Sequence, residues 1–169
     1  MAILTIVVED NTALHKASVC AKELGVPLVT LFVLSPGDYK WHDRSSKRID
    51  FMLRNLRYLK ASPSATTGKH RTTLTSQGKL EELNIPMHIV SYDRRLTIPR
   101  RLVTEVFPEL KATHVFANIE YEVDELRRDI ATVRRGRESG IDMQCVHDRL
   151  VVPPGRITSQ AGKPMSVFR

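Results

Sequence analysis

Two stretches of the chain gather side chains able to hold a planar heterocycle. Residues 35–48, SPGDYKWHDRSSKR, carry Tyr39, Trp41 and His42. Residues 118–129, NIEYEVDELRRD, set Glu120, Glu122, Asp124 and Glu125 beside Tyr121. A carboxylate that accepts two N–H bonds from the edge of a pterin or purine makes a directional, charge-assisted contact. An aromatic ring and a histidine across a cleft can stack on or bond to the same ring. Plainer explanations stand beside this one. Carboxylates in the first turn of a helix cap free N–H groups and oppose the dipole, and Trp41 can simply anchor a surface loop.

Other chemistry has no visible motif. The chain lacks G-x-x-x-x-G-K-[ST], G-x-G-x-x-G and the G-x-S-x-G nucleophile elbow. His42, His70, His88, His114 and His147 have no metal-ligand spacing. No catalytic residue and no metal site is therefore expected. The two cysteines, Cys20 and Cys145, form no Cys-x-x-Cys pair and are expected as buried, inert thiols of a reducing intracellular compartment.

The elements that must position the two stretches follow from periodicity. Five apolar segments read as strands: 2–8, 27–34, 86–90, 113–118 and 142–146, the last continuing to Leu150 and Val152. Helical patterns lie between them. The first is capped by Asp10-Asn11, buries Leu14, Ala17, Ala21 and Leu24, and stops at Gly25. The second runs over 46–60 with Ile49, Leu53 and Leu56 inward. The third opens near Pro99 and carries Leu102, Val103, Val106 and Leu110, and the fourth, 123–139, buries Val123, Leu126, Ile130 and Val133. Alternating strands and helices imply an α/β fold, a parallel sheet doubly wound by right-handed crossovers. Ligands in such folds sit beyond the carboxyl ends of the strands, and both chemically rich stretches follow predicted strands. Residues 61–77, rich in Ser and Thr, break the pattern and read as a disordered insert.

The net charge of +7 on 169 residues suits nucleic acid or simply a solvated basic surface. Arg127, Arg128, Arg134, Arg135 and Arg137 read as an exposed helix face on which Asp124 to Arg128 and Asp129 partly pair the charge. No membrane span and no signal peptide are predicted.

Several strings together resemble the N-terminal domain of fungal class I cyclobutane-pyrimidine-dimer photolyases, of the DNA photolyase/cryptochrome family. They are EDNTAL (9–14), ELGVPL (23–28), LFVLSPGDYKWHDRS (31–45), RIDFMLRNL (48–56), ATHVFANIEYEVDELRRD (112–129), VHDRLVVPPG (146–155) and GKPMSVF (162–168). The resemblance implies a Rossmann-like sandwich with a five-stranded parallel sheet of order 3-2-1-4-5. It implies a light-harvesting antenna pocket for 5,10-methenyltetrahydrofolate, with His42, Asp124 and Glu125 at the positions that contact the pterin, and resonance transfer to FAD. Residues 1–155 would form the antenna domain. Residues 156–169 would start the linker to a helical domain, absent from this chain, that holds FAD and the DNA lesion.

The implied protein is an intracellular, nuclear, monomeric deoxyribodipyrimidine photo-lyase acting on DNA. This chain alone would bind DNA weakly or not at all and would not repair it. Two stretches depart from the family pattern. MAILTIVV stands before Glu9 where the family has W-F-R-x-D-L-R, and the insert at 61–77 interrupts a family helix. A nonfunctional gene-model product stays open as an alternative, as does a nucleotide-binding module like the universal stress proteins.

Overall fold

The computed structural model describes residues 2–3, 8–60, 80, 83–160 and 162–163. Most of the first predicted strand beyond Ile3, the insert at 61–77 and the closing PMSVF lie outside the described residues. Parallel strands are ordered β3-β2-β1-β4-β5 in one sheet. The strands are β1 (Ala2–Ile3), β2 (Thr30–Leu34), β3 (Met87–Ser91), β4 (His114–Asn118) and β5 (Asp142–Val146). Thr30 is opposite Met87, and His114 opposite Asp142, in registers that run five residues each. The short β1 pairs with both β2 and β4.

Helix α1 (Thr12–Leu24) starts where Asn11 accepts the Leu14 N–H at 2.9 Å, and ends at Gly25, whose φ of 63° is the left-handed turn that glycine adopts without strain. Ala13, Leu14 and Ala17 pack with Phe116 and Val146 to form one core. Leu24, predicted inward, is 51% exposed in the last turn of the helix.

A turn at Arg95–Thr97 leads into α4, which runs as Ile98–Arg101, a widened π-helical stretch Leu102–Val106, and Phe107–Glu109. Pro108 has no N–H to give to the preceding turn, so the ladder slips there instead of breaking. Ile98, Leu102, Val106 and Phe107 meet Leu31, Val115 and Met143 in the larger core.

Helix α5 (Val123–Glu138) is rotated from its predicted setting. Val123 is 61% and Ile130 51% exposed, while Thr132 and Gly136 are buried. Leu126 and Val133 are half-buried. The helix turns a partly polar side inward, with half-buried Glu125, Arg128 and Asp129 beside Thr132. Gly136 lies against Ile141, so the helix approaches β5 at its buried end. Arg128 accordingly leaves the predicted exposed face and pairs with Asp129, while Asp124 pairs with Arg127. Strand β5 stops at Val146, and Leu150 and Val152 are exposed. Leu53 of α3 (Ser46–Lys60) is likewise exposed rather than inward. Cys20 and Cys145 are half-buried rather than buried.

Candidate functional site

The carboxyl end of β4 is fixed by a polar hub that sequence periodicity does not announce. Buried Asn118 donates through Nδ2 to Asn11 Oδ1 and to Asp148 Oδ2, each at 3.0 Å, and accepts the Ala13 N–H at 2.9 Å. Asp148 accepts the Thr12 N–H at 2.9 Å. The first N–H groups of α1, left without partners inside the helix, are thereby used to tie α1 to the ends of β4 and β5. Asn118 reads as a strand end; only its partners reveal the hub.

The stretch after β2 is a short helix, α2 (Pro36–Trp41), where the sequence suggested a loop. Ser35 begins it, donating to Asp38 Oδ2 at 2.7 Å. Gly37 lies so near the turn after β3 that an added Cβ would stand 1.9 Å from the Asp93 carbonyl oxygen. Tyr39 points inward and donates to Met52 Sδ at 3.6 Å, and burial raises its phenol above the ordinary value. Trp41 is 76% exposed and stands outside the cleft wall.

The three residues singled out as ligand contacts divide into a pair and a neighbour. His42 and Asp124 meet, with Nε2 3.6 Å from Oδ2. Asp124 is also held by Arg95, in a close hydrogen bond, and lies 3.9 Å from Arg127. Arg95 reaches Asp38 at 3.6 Å as well, so one guanidinium ties α2 to the first turn of α5. Glu125 faces another way. Its side chain is 12% exposed; Oε1 is 3.7 Å from Arg44 Nη2, and Oε2 is buried with no hydrogen-bond partner among the described residues.

Glu125 lines a cleft of about 410 Å³ with Tyr39, Arg44, Met52, Glu120 and Arg128. His42 and Asp124 are not part of its wall. Arg128 donates from Nε and Nη2 to Asp129 Oδ1, both at 3.0 Å. Desolvation raises the Asp129 carboxyl above its ordinary value, opposed by the charge and hydrogen bonds of Arg128. Tyr121 stacks on His147 at 6.0 Å between centroids, with Oη 2.6 Å from Nδ1, and is taken up by that contact.

Such a wall can grip a flat ring: it offers an inward phenol, a buried carboxylate oxygen with no hydrogen-bond partner among the described residues, and arginines. No group of His, Cys, Asp and Glu able to hold a metal occurs among the described residues. This is a parallel α/β domain with a cleft at the carboxyl ends of β2 and β4.

The family model for DNA photolyase matches residues 8–69 and 70–169. A deoxyribodipyrimidine photo-lyase of Neurospora crassa is 38% identical over 165 residues, covering 94% of this chain and 24% of the relative. The mitochondrial deoxyribodipyrimidine photo-lyase of Saccharomyces cerevisiae is 27% identical, covering 94% and 27%. An archaeal photolyase from Sulfolobus tokodaii with two FAD molecules superposes with a TM-score of 0.65 at 17% identity, covering 94% of this chain and 31% of that one. A class III photolyase from Agrobacterium tumefaciens gives 0.61 at 17%, covering 99% and 30%. The chain belongs to the DNA photolyase family. It spans about a quarter of the length of these curated relatives.

Proposed function

We propose that this chain is the antenna domain of a deoxyribodipyrimidine photolyase and binds a reduced folate, 5,10-methenyltetrahydrofolate, in the cleft beside Glu125. The observation that carries the reading is the buried Oε2 of Glu125, without a hydrogen-bond partner among the described residues, on the wall of the cleft of about 410 Å³. A pterin edge offers the paired N–H donors that such a carboxylate accepts. His42 and Asp124 assist from beside the cleft. Asp124, fixed by Arg95 and Arg127, sets the first turn of α5 and holds the imidazole of His42 near it. Tyr39, inward and seated on Met52, gives the ring an aromatic neighbour.

A bound folate would supply absorption of blue light and resonance transfer to FAD. In the family, FAD and the DNA lesion belong to the helical domain, so repair is proposed for the longer, monomeric, nuclear protein and weak or no DNA binding for this stretch. Residues 1–155 then form the antenna domain, a Rossmann-like five-stranded sheet doubly wound in the order 3-2-1-4-5, and 156–169 the start of the connection. Among the described residues no helix is long and apolar enough to cross a membrane.

The test is a fluorescence titration of the purified chain with 5,10-methenyltetrahydrofolate, beside FAD and ATP at equal concentration. Saturable binding of the folate with protection against heat supports the reading. Protection by ATP without folate binding would move the chain to a nucleotide-binding module. Folded protein that binds none of the three would leave only family descent.

A further inference from the structure

The cation in front of Glu125 has the chemistry of the ligand proposed for it. A guanidinium presents a planar N–C–N row of donors, and so does the 2-aminopyrimidinone edge of a pterin; a carboxylate accepts either as a fork. Arg44 Nη2 stands 3.7 Å from Glu125 Oε1 and 3.9 Å from Glu122 Oε2, and both carboxylates line the same cleft. The guanidinium also lies over the Tyr39 ring, 6.0 Å from its centroid. Its backbone is tied down, because the Arg44 N–H donates to the Tyr39 carbonyl at 2.9 Å. The contact with Glu125 is longer than a hydrogen bond, so Arg44 fills the position loosely and leaves Oε2 without a partner among the described residues.

We propose that Arg44 is the specificity-determining residue of the cleft, competing with a pterin edge for Glu125 and selecting ligands that bring a carboxylate of their own. The inference rests on the pterin reading of Glu125. When a ring edge takes Glu125, the guanidinium must give that carboxylate up. Among the described residues its remaining carboxylate is then Glu122, whose side chain is 70% exposed and whose attraction water screens. A ligand with a carboxylate tail supplies a replacement partner at that moment; a bare pterin supplies none. The chemical class favoured is thus a donor-edged heterocycle joined to an anionic tail.

The experiment uses the full 169-residue chain and two probes, 5,10-methenyltetrahydrofolate and 6-methylpterin, the second lacking the carboxylate tail. Each is titrated into wild type, Arg44→Met and Arg44→Lys, with circular dichroism to confirm folding. A half-exposed ion pair of this length is worth up to about fivefold in a binding constant. Arg44→Met is expected to tighten 6-methylpterin by about that factor and to shrink the preference for the folate. Arg44→Lys keeps the charge that makes this pair, so it should leave both affinities and the preference near those of wild type. A folded Arg44→Met whose affinities and preference match wild type would overturn the role of Arg44 while leaving Glu125 in place. Failure of every protein to bind either probe would overturn the pterin reading and this inference with it.

Discussion

Replacing Asn118 by Leu should loosen the end of the sheet on which the cleft stands. The side chain is 6% exposed and makes three hydrogen bonds, two donated to Asn11 and Asp148 and one accepted from the Ala13 N–H. Leucine has similar bulk and none of these groups. The Asn11 oxygen keeps its bond from Leu14, and Asp148 keeps its bond from Thr12. The buried Ala13 N–H is left with no partner, which costs about 1–3 kcal/mol. The lost bonds, one of them to a carboxylate, add about 2 kcal/mol. The sum is about 3–5 kcal/mol, a large part of the roughly 5–15 kcal/mol that holds a domain together. With a urea dependence of about 2 kcal/mol per molar, the midpoint should fall by roughly 2 M. Urea titration followed by circular dichroism measures it. A loss under about 1 kcal/mol would mean that water serves these groups as well as Asn118 does, and that the hub does not hold α1 to β4.

Three other substitutions or reagents probe the same region. Gly37→Ala would drive a methyl into the Asp93 carbonyl, and is expected to cost about 1–3 kcal/mol and lower the melting temperature, whereas Gly155→Ala meets no atom within 4 Å and is strained only by its φ of 82°. Arg128→Met leaves the Asp129 carboxylate part-buried without its cation, costing about 2–3 kcal/mol at pH 7. Burial then raises the Asp129 carboxyl further, so the variant's deficit should be largest above the folded value and shrink as pH falls toward the unfolded value near 3.9; a pH-independent deficit would contradict this. Burial pushes the Cys145 thiol up to about 11, so at pH 8 iodoacetamide should modify it about a hundredfold more slowly in the folded than in the unfolded chain, read by mass spectrometry. Because that thiol ionises more readily when unfolded, it takes stability away as pH rises from about 8.5 toward 11.

The caps and strands of this domain are written locally, and the site is written partly across the chain. Asn11, Gly25 and the apolar run before Leu34 act through neighbours in sequence, so periodicity and cap chemistry locate α1 and β2. The rotation of α5 was not legible from its apolar residues. Val123 and Ile130 look inward by composition, yet the helix buries Thr132 and Gly136, because its setting comes from packing against α4 and β5, which the helix's own periodicity does not report. His42 and Asp124 were named from separate stretches and do meet, but their contact runs beside the cleft, with Arg95 as an unforeseen third party. Arg44 and Asn118 escaped sequence reasoning because their importance lies in long-range partners, Glu125 in one case and Asn11 and Asp148 in the other. A polar residue at a strand's carboxyl end and an arginine two residues after a candidate ligand histidine are the only signals the sequence offered for them.

The central claim is that the buried edge of Glu125 holds a pterin, and Glu125→Ala tests it most directly. The affinity of the full chain for 5,10-methenyltetrahydrofolate, followed by fluorescence, is compared between wild type and this variant, both shown to be folded. A paired, charge-assisted contact is worth about 2–3 kcal/mol, so the account predicts that the variant binds roughly 30- to 160-fold more weakly. Equal affinity in the two proteins would place the folate elsewhere and contradict the account.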